Sequence, residues 1–182
     1  MTAVVDTSRP RHGEARIDMS DMLLRPRLPV FSRDDLDRYV AHLGQRFGDR
    51  LMSIVLFGSR ARGPAQPESD VDLLVVIREL SRNRWLRYEG FADLARAMSG
   101  DFAAMLALIL ATPEEAANVK PYCLGMLSGH EILYDRNGFF AAVLERLKRR
   151  LKKLGSRRYA DKDGYECWDL KPDWKPGDVV EL

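Results

Sequence analysis

Apolar positions along this chain switch repeatedly between a helical and an extended period. Leu36, Tyr39, Val40, Leu43 and Phe47 recur at helical spacing, with Ser32 and Asp35 forming an N-cap signal before them and Gly48 a stop after them. The short run from Met52 to Phe57 predicts a strand that follows this helix directly. A second run, Val71 to Ile77, is apolar on both faces: Leu74 and Val76 continue one, while Val71, Leu73, Val75 and Ile77 line the other. That pattern belongs to a central strand covered on both sides. Trp85, Leu86, Phe91, Leu94, Ala95 and Met98 predict a returning helix, and the run over 101–110 predicts a third strand. Thr112-Pro113-Glu114-Glu115 carries a cap, a first-turn proline and an acid three residues on, so a helix should run to about Leu127, bent near Pro121. Glu131 to Tyr134 reads as a short strand. A long helix from about Asn137 to Leu154 then places Phe140, Val143, Leu144, Leu147, Leu151 and Leu154 on one face.

Four segments follow from this pass. Residues 1–29 hold Arg-Pro pairs and little periodicity and are expected to form a loosely ordered arm. Residues 30–135 make the main domain, 136–155 the amphipathic helix, and 156–182 an extended strap packed on the domain. The steps Lys171-Pro172 and Lys175-Pro176 favour extended or turn backbone there, with Trp168 and Trp174 as the expected buried anchors.

Composition narrows the classes. The chain has 182 residues, 46% hydrophobic and 31% charged, with a formal net charge of +2. Near-neutral balance gives no global drive towards nucleic acid or an anionic membrane, so such a partner needs a local patch. The densest one is Arg146, Lys148, Arg149, Arg150, Lys152 and Lys153, continued by Arg157 and Arg158. It reads either as a surface for RNA, DNA or an acidic protein or as a solvated basic helix end. No apolar run reaches membrane-spanning length and the first residues lack the order of a secretory signal. Cys123 and Cys167 are far apart and without zinc-spaced histidines, which fits a reduced, cytoplasmic setting. His12, His42 and His130 share no metal or triad spacing.

The candidate chemistry lies in LMSIVLFGSRARGPAQPESDVDLLVVI, residues 51–77. Asp70 and Asp72 are two apart, which puts both carboxylates on one face of an extended segment. Two adjacent negative charges repel unless a cation or a shared proton relieves them, and Mg²⁺ accepts one or two carboxylates with water and phosphate oxygens completing its shell. Upstream, Gly58 permits a sharp turn and close approach, Ser59 adds a hydroxyl and an N–H, and Arg60-Ala61-Arg62 can begin a helical turn whose free N–H groups face an anion. Other readings stand beside these: Asp70 as a turn cap, Asp72 as an exposed strand start, Arg62 as an exposed arginine rather than a phosphate contact.

At Gly58, Ser59, Ala61, Gly63, Asp70 and Asp72 the chain resembles the DNA polymerase β-like nucleotidyltransferase superfamily, especially its small single-domain prokaryotic members. The resemblance implies an α/β (α+β) fold, a short mixed sheet flanked by helices. It implies Mg²⁺ or Mn²⁺ on Asp70 and Asp72, and a nucleoside triphosphate, by default ATP, held by Gly58, Ser59 and Arg62. The reaction would pass a nucleotidyl group to an acceptor hydroxyl and release pyrophosphate, the acceptor being a protein, an RNA or a small molecule. The family's third carboxylate sits on a neighbouring strand; Asp101 is the candidate here, or else an ordinary turn residue after Ser99-Gly100. Lys171 is a further candidate for nucleotide binding, if the strap reaches the cleft rather than only covering apolar surface. The rival reading is a regulatory binding module, an antitoxin-like partner of a toxin with little or no catalysis.

Overall fold

A computed structural model describes residues 31–63, 65–66, 69–98 and 100–180; the expected arm over 1–29 lies outside them. Helix α1 (Arg33–Phe47) begins at Ser32, whose side chain accepts from the Asp35 N–H, and ends at Gly48, which turns back at φ 50°. After a 3-10 turn (Gly48–Arg50) come strand β1 (Leu51–Phe57), a single helical turn α2 (Ser59–Arg62) and strand β2 (Val71–Ile77). Helix α3 (Arg84–Arg96) is capped by Asn83, whose side chain accepts from the Trp85 N–H.

The next segment differs from its sequence pattern. The run over 101–110 splits into helix α4 (Gly100–Met105) and strand β3 (Leu106–Ala111). Phe102 and Met105, three apart, are both buried, so the first half obeys a helical period that a continuous apolar stretch conceals. The helix expected to run to Leu127 is likewise two short ones. Helix α5 (Pro113–Ala117) starts in a capping box between Thr112 and Glu115, and α6 (Pro121–Met126) restarts with Pro121 in its first turn. Strand β4 (Glu131–Asp135) is followed by a 3-10 turn (Arg136–Gly138) in which Asn137 is left-handed at φ 54°, so helix α7 (Phe139–Leu154) begins two residues later than its apolar pattern. Asp135 holds that start, accepting from the Phe140 and Ala141 N–H groups at 2.9 and 3.0 Å and from the Ser53 hydroxyl at 2.6 Å. The tail forms a hairpin of β5 (Arg157–Ala160) and β6 (Glu166–Asp169), not a wholly extended strap.

The four-stranded sheet has the order β3-β2-β1-β4, with β1 antiparallel to β2 and β4 and β2 parallel to β3. Its two faces sort the residues of β2 as the alternation requires. Val71, Leu73, Val75 and Ile77 join Leu36, Tyr39 and Leu43 of α1 with Phe91, Phe102 and Met105. Leu74 and Val76 join Met126 with Phe140, Val143 and Leu144 of α7. A third cluster, Cys123, Leu147 and Leu151, receives Trp168 and Leu170 and so fixes the hairpin to α6 and α7. Trp168 is thus the anchor; Trp174, expected to be one, is 55% exposed.

Candidate functional site

The site forms where β1 ends beside the start of β2. Phe57 is paired with Asp72 across the antiparallel ladder, so the chain leaving β1 turns directly over that carboxylate. Gly58 makes the turn at φ 74°, and a Cβ added there would lie 2.0 Å from an Asp72 carboxylate oxygen. Only glycine admits both this backbone conformation and this approach. Asp72 shares its face of β2 with Leu74 and Val76, the side covered by α5, α6 and α7, and is partly buried. Asp70 sits one residue before the strand and is exposed.

The charges of these groups are felt at Asp72. Burial pushes the Asp72 carboxyl above its ordinary range, the neighbouring Asp70 charge pushes it further, and Arg62 pulls it partway back. Four sequence-selected positions therefore come together: Gly58, Asp70, Asp72 and Arg62. Ser59 opens α2, next to Gly58, where the first backbone N–H groups of the turn have no partner within the helix.

Two further candidates lie on other elements. Asp101 lies in the first turn of helix α4, not at the head of a strand, and the β3 residue beside Asp72 is Ala107. Among the described residues no group of three or more His, Cys, Asp or Glu side chains is placed to hold a metal ion. Asp101 therefore starts a helix and does not occupy the strand position from which the third carboxylate was expected. Lys171 pairs inside the tail, donating to Asp178 at 2.5 Å, while Asp178 also accepts from the Lys175 N–H at 2.9 Å.

Other residues that hold the site were not singled out by their sequence. The Arg60 side chain donates to the Ser69 carbonyl from Nε at 3.0 Å and from Nη2 at 2.5 Å, and it lies over the Phe31 ring at 4.4 Å. It thereby ties the loop preceding Asp70 back to α2, a positioning role where Arg62 was the expected working arginine. Gly129, after α6, packs against Arg62 so closely that a Cβ would fall 2.6 Å from its Cγ and 3.0 Å from its Cα. No local motif flags it, because the constraint comes from a contact across more than sixty residues of chain.

The arrangement fits a divalent cation carried by a polyphosphate. Two acids of which one is destabilised by the other want a cation between them, and a pair leaves most of the coordination shell for phosphate and water, as Mg²⁺ prefers. A nucleotidyl-transfer centre of this kind uses charge neutralisation and positioning and needs no nucleophilic side chain.

Comparison with known proteins agrees. The family model described as a nucleotidyltransferase domain matches residues 36–120, which include Gly58, Ser59, Arg62, Asp70 and Asp72. A curated relative from Methanocaldococcus jannaschii, named "Putative protein adenylyltransferase MJ1305", is 37% identical over 121 residues, covering 65% of this chain and 82% of the relative. The chain belongs to the nucleotidyltransferase-domain family, within the polymerase β-like superfamily, and is a nucleotidyltransferase. Among solved structures, a toxin–antitoxin complex with AMP-PNP matches at 18% identity over 65% of this chain and 92% of its own, TM-score 0.42. The tri-AMPylated Shewanella oneidensis HEPN toxin in complex with MNT antitoxin matches at 18% identity over 65% and 89%, TM-score 0.39.

Proposed function

We propose that this protein is a Mg²⁺- or Mn²⁺-dependent adenylyltransferase that moves AMP from ATP to a hydroxyl on a protein. Asp70 and Asp72 hold the ion, and Gly58, Ser59 and Arg62 hold the phosphates. The observation that carries the reading is the contact between the Gly58 turn and the Asp72 carboxylate, with Asp70 and Arg62 both acting on that carboxylate. When bound, the ion supplies neutralisation of charge on the attacking and leaving oxygens.

The residues of the chain do the rest. Gly58 brings the backbone within reach of a phosphate, Ser59 offers a hydroxyl and an N–H, and Arg62 adds a cation beside the acids. Arg60 keeps the loop before Asp70 in place through the Ser69 carbonyl. The acceptor oxygen bonds to the α-phosphorus as the bond to the bridging oxygen breaks, pyrophosphate departs, and the acceptor proton passes to water. The choice of adenylyl and of a protein acceptor is supported by the name of the archaeal relative.

With ATP labelled at the α-phosphorus, Mg²⁺ and a cell lysate, the wild-type protein should place acid-stable label on protein. The double variant Asp70→Asn/Asp72→Asn should lose this by about a hundredfold or more, as expected for removing preorganised charge at the reacting centre. Equal labelling by the double variant refutes the mechanism. Metal-dependent ATP binding without transfer to any acceptor favours the binding-module reading.

A further inference from the structure

The Asp72 side of the sheet carries a second feature. The hairpin docks there through Trp168 and Leu170. Between it, helix α6 and Arg62 lies an open cavity of about 700 Å³. That volume is in the range of small-molecule sites, roughly 300–1,000 Å³. Arg62 lines this cavity and also belongs to the phosphate turn, so the cavity adjoins that turn through one shared side chain.

The walls say which part of a nucleotide belongs in it. Leu124 and Gly125 form an apolar side on α6, and Tyr165 and Trp168 present aromatic rings from the hairpin. Glu166 also lines the cavity, held by the Ser128 hydroxyl, which donates to it at 2.5 Å, and by Arg158 at 3.4 Å. A fixed carboxylate repels the polyphosphate tail, whereas a flat, uncharged heterocycle can stack on tyrosine or tryptophan. Tyr165 is 71% exposed, a large ring left uncovered at the rim of a hollow whose walls are both apolar and charged.

We propose that this cavity is the nucleobase pocket and that the C-terminal hairpin is a nucleotide-binding element. The assignment rests on the triphosphate lying at the Gly58 turn, because the base is tethered to the phosphates and must occupy a hollow contiguous with them. It replaces the role expected of Lys171: the tail contributes stacking surface, not charge, to the nucleotide.

The test is calorimetric binding of Mg²⁺-ATP and of inorganic tripolyphosphate with Mg²⁺ to the full chain. Tyr165→Ala removes the exposed ring. Gly125→Leu fills the hollow, since a Cβ at Gly125 meets nothing within 4 Å. With melting temperatures unchanged, both variants should bind ATP about tenfold more weakly, the loss of one stacking contact, and tripolyphosphate as the wild type does. Unchanged ATP affinity in both variants, or equal losses for both ligands, overturns the pocket alone. A wild-type protein that binds neither ligand overturns the phosphate site together with it.

Discussion

Asp72 is held where its ionised form is costly. Its carboxyl is raised by burial and by Asp70, so in the ligand-free chain the charged form is disfavoured relative to the unfolded chain. For an acid whose folded pKa is raised, folding retains the proton longer than unfolding does. Stability therefore increases as pH falls from above the raised value towards the ordinary carboxylate range, and the penalty is fully present above it. Asp72→Asn should accordingly leave the melting temperature at pH 7 unchanged or higher while abolishing transfer, and should flatten the pH dependence of melting in the mildly acidic range. A lower melting temperature for this variant would show that the carboxylate is a structural partner instead. Binding of a cation needs the ionised form, so the acid limb of wild-type activity should sit above that of an ordinary aspartate. The spacing of Asp70 and Asp72 and the turn at Gly58 were legible because they are short-range constraints on backbone and charge. The Arg60 clamp on Ser69 was not, since which of two arginines in one helical turn reaches back to the loop depends on packing against Phe31.

At the scale of elements, the edge of the sheet is closed by side chains of α3. The Tyr88 hydroxyl donates to the Leu108 carbonyl at 3.2 Å and Arg87 Nη1 to the Leu110 carbonyl at 3.2 Å, occupying acceptors that β3 would otherwise offer to another strand. Arg87 is buried and makes a two-pronged pair with Glu115 at 2.7 and 2.8 Å, and Glu115 also completes the capping box of α5. Removing Glu115 leaves a guanidinium without its counter-charge inside the protein. Glu115→Ala should cost about 3 kcal/mol in thermal or urea unfolding, whereas Glu114→Ala, on the exposed side of the same turn, should unfold nearly as the wild type does. Similar losses in both would remove the special role of the pair. The cap at Thr112 was legible for the same reason as the α1 cap: a local side chain answers a local N–H. The division of 101–110 into helix and strand was hidden, because a run with almost no polar residues carries no period to read. With that division Asp101 falls in the first turn of α4 and not at the head of a strand.

Across the whole molecule, the sheet serves as a divider with Asp72 on one side. One face seals against α1 and α3, and the other presents Asp72 towards α6, α7 and the hairpin. The alternation within β2 was enough to assign these faces, since a strand covered on both sides has only one way to distribute its residues. The docking of the hairpin was not readable: its anchor, Trp168, meets Cys123, Leu147 and Leu151 only after α6 and α7 are in place, and the other tail tryptophan points to solvent. No described helix is long and apolar enough to cross a membrane. The claim on which all else depends is that Asp70 and Asp72 share one cation that arrives with the polyphosphate. Electron paramagnetic resonance of Mn²⁺, titrated into the protein with and without ATP, measures this directly. The account predicts weak Mn²⁺ binding alone, strong binding when ATP is present, and loss of that increment in Asp70→Asn/Asp72→Asn. An ATP-linked Mn²⁺ signal of equal strength in the double variant would contradict it.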